Sequence, residues 1–359
     1  MISPTAKTAL NKLLNNQRMS VQELELIVRL QLEGTDKKAL NLIAETARKR
    51  TLEVFSNKIY IRGLLEFTNY CKQNCYYCGL RRDNKEVHRY RLTKNEILNA
   101  AAENYKLGFR TFVLQGGEDP YYTPLRIAEI IKGLKQNHPD CAVTLSVGEL
   151  SNSDYLLLFK AGADRFLLRH ETADEDHYKT LHPPTQTLEN RIHCLKTLTK
   201  IGYQAGAGFM VGSPNQTPTT LAKDLYFLQN LNPAMVGIGP FIPQHDSPFK
   251  DFTPGTVDQT VYLLSIIRLL LPKTLLPATT ALATMDPKNG RKRGILAGAN
   301  VVMPNISPPK NRHNYALYDN KLISHKESSK GLEELQLEFN SIGYEYVIAR
   351  GDYPSYKIE

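Results

Sequence analysis

The chain has 359 residues, of which 42% are hydrophobic and 23% are charged, as in a globular protein with a large core. The formal charge is +9, but the basic residues are dispersed, so nucleic-acid binding is not expected. The sequence contains no apolar run of the roughly 20 residues that a membrane-spanning helix requires, and we expect no membrane partner. The N-terminus lacks the pattern of a secretory signal, which favours a cytoplasmic protein.

The pattern of apolar residues changes near Ile59. Residues 1–55 carry apolar positions at spacings of three and four, which predicts an N-terminal helical segment. After it, short runs rich in β-branched and aromatic residues alternate with helical stretches. Eight of these runs are predicted to be strands, at 59–67, 110–117, 142–148, 165–171, 204–212, 235–243, 275–284 and 300–306.

Eight successive strand-then-helix units predict an α/β fold with parallel strands, because the connections are too long for hairpins. Eight parallel strands favour a closed (βα)8 barrel of the TIM type, which we assign to residues 56–320. A doubly wound open sheet is the alternative, although no glycine-rich dinucleotide motif marks a switch point. Residues 321–359 lose the repeat and are assigned to a C-terminal extension, whose last stretch, GDYPSYKIE, we interpret as a surface extension.

Three of the five cysteines, Cys71, Cys75 and Cys78, form the pattern C-x3-C-x2-C. They directly follow the first predicted strand, so we expect them at the mouth of the barrel. A structural zinc site uses four ligands, and a four-iron cluster also takes one ligand per iron, so three cysteines would leave one iron open to a substrate or cofactor. A zinc ion with His88 as the fourth ligand and three unliganded thiols are the alternatives.

The cysteine pattern, with the aromatic Tyr77 just before its last cysteine, resembles the signature of the radical S-adenosylmethionine (SAM) enzymes. The resemblance implies one 4Fe-4S cluster, held by Cys71, Cys75 and Cys78, whose open iron binds SAM. These cysteines would be catalytic through the cluster. An electron from a low-potential donor would then cleave SAM to a 5'-deoxyadenosyl radical inside a closed chamber.

Further stretches, among them CGLRRDN (78–84), RHETA (169–173) and PATTA (277–281), resemble the HydE family of FeFe hydrogenase maturases. This resemblance implies a small sulfur-containing iron substrate, a role in assembly of the dithiolate bridge, and contacts with other hydrogenase maturation proteins. Some family members carry C-terminal cysteines for a second cluster, but this chain has none after Cys194, so we predict a single cluster.

Three alternatives to the maturase function remain at the level of sequence. Methylornithine synthase shares GEDPYY (117–122) and RYRLT (89–93) with the chain, and biotin synthase is a further relative. Both would use the same radical on a different substrate. An iron-sulfur scaffold that does not cleave SAM is the alternative from another functional class.

The resemblance also implies two groups of site residues. The group expected to contact SAM is Tyr77, Gln115, Gly116, Gly117, Glu118, Glu171 and Arg191. The group expected to contact the substrate is Arg62, Thr144, Ser146, Arg169, Met235, Thr279, Thr280, Met303 and Tyr315. Polar groups inside a barrel are costly unless they are satisfied, so the second group favours an anionic small-molecule substrate, with core packing or ion pairing as the alternative for each residue.

Overall fold

The computed structural model describes residues 3–34, 36–322 and 329–355. It begins with three helices, α1 (Pro4–Leu14), α2 (Val21–Glu33) and α3 (Lys37–Phe55). The side chains of Ser3, Ser20 and Asp36 cap these helices by accepting hydrogen bonds from backbone N–H groups of the first turn. The predicted N-terminal helical extension is therefore present.

Strands and helices alternate over the rest of the chain. The strands are β1 (Lys58–Ile61), β2 (Gly63–Thr68), β3 (Thr111–Gly116), β4 (Ala142–Ser146), β5 (Arg165–Leu167), β6 (Gln204–Ala207), β7 (Met210–Val211), β8 (Met235–Val236), β9 (Gly239–Pro240), β10 (Val301–Val302) and β11 (Glu345–Val347). The helices are α4 (Lys94–Lys106), α5 (Pro124–Asn137), α6 (Asn152–Lys160), α7 (Glu175–Leu181), α8 (Leu188–Ile201), α9 (Pro218–Leu231), α10 (Val257–Leu270), α11 (Thr280–Met285), α12 (Gly290–Leu296), α13 (Pro309–Arg312) and α14 (Ser329–Asn340). In the described parts of the chain, none of the helices combines the length and apolar character needed to cross a membrane.

Parallel pairing closes the strands into a ring. Six strands pair in the order β2-β3-β4-β5-β6-β8. The segment 275–277 fills the next position, because it forms parallel bridges to β8 on one side and to β10 on the other. Strand β10 then pairs with β1, which leads directly into β2. The predicted (βα)8 barrel is confirmed by this closure.

Several predicted strands differ from the observed ones; the sixth, for example, is interrupted at residues 237–238, between β8 and β9. The first is interrupted at Arg62, and the fifth is interrupted near Gly208, where a side chain would lie 2.0 Å from the Gly237 carbonyl oxygen. The seventh ends early because the Thr279 hydroxyl accepts a hydrogen bond from the Leu282 N–H and caps α11. The prediction of strand over 280–284 was therefore wrong, since capping by threonine favours a helix there.

The C-terminal tail lies under the barrel, where its strand β11 pairs with β1. Arg165 and Gln204, at the starts of β5 and β6, donate hydrogen bonds to the Asp352 carboxylate at 2.5 and 2.7 Å. Arg62 donates to the carbonyl oxygen of Gly351 at 3.2 Å. The interpretation of GDYPSYKIE as a surface extension was wrong for residues 351–353, because buried polar groups at the strand starts require partners and these residues supply them. Pro354 and Ser355, in contrast, are exposed, and residues 356–359 lie outside the described residues.

The Asp352 carboxylate should make a pH-dependent contribution to stability. Burial alone would raise the pKa of Asp352, but the charges of Arg165 and Arg350 outweigh burial and lower this pKa to about 2. A carboxyl group with a lowered native pKa stabilises the fold above its unfolded pKa of about 3.9 and loses that effect as the pH falls toward 2. Asp352→Asn should lower the free energy of unfolding by about 1–2 kcal/mol at pH 7, after allowance for solvent screening, and by less at pH 3.

Urea titrations at both pH values measure this difference. Asp251→Asn, at an exposed position, is the control and should stay within about 0.5 kcal/mol of the wild type. A deficit in Asp352→Asn that is equally large at pH 3 and pH 7 would contradict the assignment to charge.

Candidate active site

The three clustered cysteines lie in the loop that follows β2, at the carboxyl end of the barrel strands. The Arg89 guanidinium holds this loop in shape. It donates hydrogen bonds to four backbone carbonyl oxygens, those of Asn69, Leu80, Arg81 and Asn84, at 2.5 to 3.1 Å. Arg89 lies within the RYRLT stretch, but no role could be predicted for it from the sequence. The structure assigns Arg89 to positioning of the cysteine loop.

The end of β3 packs directly against the cysteine loop. A Cβ atom on Gly117 would lie 2.2 Å from the Tyr70 carbonyl oxygen and 2.7 Å from Cβ of Cys71, so only glycine permits this approach. The next residue, Glu118, accepts a hydrogen bond from Nε2 of Gln73 at 2.7 Å. The two loops are therefore fixed relative to each other.

The connection between α7 and α8 covers the loop from another side. The backbone N–H of Tyr76 donates to the carbonyl oxygen of Leu181 at 3.0 Å. The hydroxyl of Tyr77 lies 3.2 Å from Nε2 of His182, whose Nδ1 lies 3.1 Å from the Tyr178 carbonyl oxygen. Since Nδ1 must donate to that carbonyl, Nε2 of a neutral His182 accepts from Tyr77. This contact fixes the aromatic ring next to the last cysteine.

The cysteine thiols have pKa values that are raised mainly by burial. Burial, followed by the effect of Cys71, raises the pKa of Cys78 to about 12. Buried thiolates are stabilised by the positive charge of a metal centre, and ligation then releases their protons. Among the described residues, no three His, Cys, Asp or Glu side chains surround a single-ion site, whereas in a four-iron cluster each thiolate binds a different iron.

A cavity of about 340 Å³ lies beneath the cysteine loop, inside the carboxyl end of the barrel. Cys75 and Cys78 form part of its wall. Most of the predicted SAM and substrate residues also line it, namely Tyr77, Gln115, Gly116, Ser146, Arg169, Glu171, Thr279, Thr280, Met303 and Tyr315. The structure therefore brings residues from distant parts of the sequence together around one chamber.

Three predicted substrate residues do not line this cavity. Arg62 lies toward the barrel floor, where its Nη1 is 3.1 Å from Sδ of Met235. Thr144 is buried, and its hydroxyl has no hydrogen-bond partner among the described residues. The strand register places Arg62, Thr144 and Met235 deeper in the barrel than the cysteines. Their contact with the substrate therefore stays a prediction.

Some predicted SAM residues also lie outside this wall. Gly117 and Glu118 line a neighbouring cavity of about 440 Å³. Arg191 is buried, and its side chain donates to the Glu149 carboxylate and to the Arg169 carbonyl oxygen, both at 2.5 Å. Arg191 is therefore placed to hold the end of the fourth strand run, and direct contact with SAM remains a prediction.

Two oppositely charged side chains, those of Arg169 and Glu171, lie together in the wall of the cavity of about 340 Å³. Nη2 of Arg169 and Oε2 of Glu171 are 3.0 Å apart, but neither atom has a hydrogen-bond partner among the described residues. Glu171 has a φ of 64°, which is unusual for a residue other than glycine. Such conformations are found preferentially at functional sites. Both side chains are therefore part of the cavity lining that a ligand would meet.

The turn that carries Glu171 is held by Asp224 of α9. Its carboxylate accepts a hydrogen bond from the Ala173 N–H at 2.5 Å and lies 3.6 Å from Nε2 of His170. Burial raises the pKa of Asp224 to about 8. Asp224 was missed at the level of sequence, because it lies 51 residues from Ala173 and follows a helical pattern.

Sequence reasoning also missed two charged residues in the main cavity. Glu66, on β2, is fully buried and accepts hydrogen bonds from Nδ2 of Asn305 at 2.8 Å and from the ammonium group of Lys321. Lys321 also donates to the Tyr315 carbonyl oxygen at 3.0 Å. A carboxylate within the apolar run IYIRGLLEF was a usable signal for Glu66, whereas Lys321 lies just outside the predicted barrel.

A family model described as the radical SAM superfamily matches residues 65–228. HydE, a subunit of the FeFe hydrogenase maturase of Thermotoga maritima, is 45% identical to this chain over 284 residues, which is 79% of this chain and 80% of that protein. The chain belongs to the HydE family of radical SAM enzymes. The family resemblance carried by the cysteine pattern and by RHETA is thereby confirmed.

A second group of relatives lies further away from this HydE family member. The 3-methylornithine synthase of Methanosarcina acetivorans is 29% identical over 313 residues, covering 87% of this chain and 86% of that protein. The crystal structure of methylornithine synthase, PylB, matches with a TM-score of 0.81 at 26% identity, covering 94% of this chain and 97% of that one. This similarity independently supports the barrel fold.

The cofactors of radical SAM enzymes, a 4Fe-4S cluster and SAM, fit the residues of this HydE family member. Cys75 and Cys78 line the cavity and Cys71 lies in the same loop, so these three free thiols would hold the cluster. The Glu171 carboxylate lies in the cavity wall, where it would meet a polar group of SAM. The tight backbone approach at Gly117 gives the loop the fixed position that a cluster requires.

Substitution of one clustered cysteine should abolish cluster binding. Cys75→Ala removes a ligand, so the reconstituted protein should lose its iron, its sulfide and all formation of 5'-deoxyadenosine. Cys141→Ala and Cys194→Ala, at buried positions away from the loop, should retain all three. Iron and sulfide analysis with chromatography of the nucleoside products measures these effects. An intact, active cluster in Cys75→Ala would contradict the ligand assignment.

Proposed function

We propose that this chain cleaves SAM reductively and acts in maturation of the FeFe hydrogenase cofactor. The observation that carries the proposal is the 45% identity to HydE over 79% of the chain. The radical SAM family model, which matches residues 65–228, includes the cysteine loop. The substrate proposed is a small sulfur-containing iron compound, an intermediate of the dithiolate-bridged diiron subcluster.

The chain's own residues prepare the reaction by binding and orientation. When bound, the cluster and SAM supply a 5'-deoxyadenosyl radical. Cys71, Cys75 and Cys78 would hold the cluster, and Tyr77, fixed by His182, lines the chamber between Cys75 and Cys78 in the chain. Glu171 offers a carboxylate oxygen to SAM at the carboxyl end of the fourth strand run, where its left-handed backbone directs the side chain inward.

The chamber is suited to a small anionic substrate. Its volume of about 340 Å³ falls within the range of small-molecule sites. The Arg169 guanidinium lines the chamber beside Glu171, and Lys321 adds a second positive charge to the lining. Since Lys321 is held by Glu66, we propose that Arg169 is the residue that binds a carboxylate of the substrate.

Apolar walls and a closed floor favour a dry chamber. Leu64, Leu167, Met210 and Phe241 line it together with the polar residues, and most of its exposed lining is apolar. At the opposite end of the barrel, the tail around Gly351 is buried. Exclusion of water protects a reactive radical from side reactions.

We propose further that the protein works in the cytoplasm with partners. Reduction of the cluster requires a low-potential electron donor, and delivery of the product requires other hydrogenase maturation proteins. The cysteine loop is partly exposed, so an electron donor could approach it closely. These partners follow from the chemistry and from the HydE relationship.

Product analysis distinguishes the maturase from its relatives. The reduced, reconstituted protein should form 5'-deoxyadenosine and consume a cysteine-bound iron carbonyl cyanide complex in an anaerobic assay followed by mass spectrometry. Lysine and dethiobiotin are the control substrates, and neither should be altered. Conversion of lysine to methylornithine would show that the methylornithine synthase alternative is correct, whereas failure to cleave SAM with an intact cluster would favour a scaffold.

Arg169→Met should separate substrate binding from SAM cleavage. Hydrogen bonds to charged groups contribute about 1.5–3 kcal/mol, so substrate-dependent turnover should fall by about 10- to 100-fold. Formation of 5'-deoxyadenosine in the absence of substrate should stay within about twofold of the wild type. Arg169→Lys, which keeps the charge, should restore part of the loss. Equal losses of both activities in both variants would assign Arg169 to SAM binding instead.

A further inference from the structure

Residues 181–187, which comprise the last residue of α7 and its connection to α8, contact three consecutive residues of the cysteine loop. This segment holds Tyr77 through His182, and the last residue of α7 accepts from the Tyr76 N–H. The third contact is made by Gln186, whose Oε1 lies 3.2 Å from Sγ of Cys75. Gln186 has only 6% of its surface exposed, so this contact is shielded from water.

The chemistry of Cys75 determines how the Gln186 amide is oriented. A protonated thiol donates to the amide oxygen, as the two atoms are placed here. A thiolate bound to iron has no proton and can only accept, so an N–H group must face it. Rotation of the Gln186 amide by half a turn exchanges the positions of Oε1 and Nε2 and leaves the shape of the side chain almost unchanged. Among the described residues, the Gln186 side chain forms no other hydrogen bond that this rotation would break.

We propose that Gln186 donates a hydrogen bond to the Cys75 thiolate in the cluster-loaded protein and thereby raises the reduction potential of the cluster. Reduction adds negative charge that spreads onto the sulfur ligands, and a nearby N–H donor stabilises that charge. The effect is large when the donor is buried, because little solvent screens it. Gln186 is thus a positioning residue that acts through a ligand.

The experiment measures the midpoint potential of the reconstituted 4Fe-4S cluster in the absence of SAM and substrate. Gln186→Leu keeps the approximate size of the side chain but removes the donor, so the midpoint should shift to a more negative potential. Gln186→Glu removes the donor and adds a negative charge, so its shift should have the same sign and be larger. Thr185→Ala, at an exposed position in the same connection, is the matched control and should match the wild type. Electron paramagnetic resonance of the reduced cluster follows each titration.

Several outcomes would overturn the proposal. One is a midpoint potential in Gln186→Leu that is unchanged or more positive than in the wild type while the iron and sulfide content is normal. Failure of both Gln186 variants to load a cluster would assign the residue to cluster assembly instead. The inference rests on the cluster and not on the proposed substrate. If the wild-type protein cleaves SAM but does not convert the iron substrate, the proposed substrate is wrong and the midpoint measurement still tests the role of Gln186.

Discussion

The close packing of Gly117 on the carbonyl oxygen of Tyr70 sets the geometry of the whole site. At this point the ends of two neighbouring parallel strands meet with no room for a side chain. The cysteine loop is thereby held above the cavity in the barrel. A radical formed beside these cysteines would face that cavity directly. Arg89 and the α7–α8 connection reinforce the same placement from two other directions.

The barrel was predictable because alternation of strand and helix is a local property of the sequence. The strand count and the order of the units could be read directly. The interruption at Arg62 and the early end of the seventh strand could not, because both depend on tertiary contacts or on a cap. The tail around Asp352 was misread for a similar reason. Its polar composition suggests solvent, yet its partners are buried groups far away in the chain.

The candidate site divides in the same way. The cysteines were recognisable from spacing alone, and RHETA located Arg169 and Glu171. His182 and Gln186 reach the loop across 105 and 111 residues, and nothing in their local sequence signals this contact. Glu66 combines both situations. A carboxylate in an apolar strand can be recognised from the sequence, whereas its pairing with Lys321 is seen only in the fold. The walls of the chamber thus combine residues with a local signature and residues that only the fold identifies.

Closure of the barrel also has a consequence for how the protein is made. The hydrogen bond from Arg62 to the carbonyl oxygen of Gly351 joins residues 289 positions apart. At about 5–20 residues per second, a ribosome needs roughly 15 to 60 seconds to synthesise the intervening chain. During most of that interval strand β1 has neither of its neighbours, β10 and β11, and an unpaired strand edge invites association with other chains. Aggregation therefore competes with folding until the last strands have emerged.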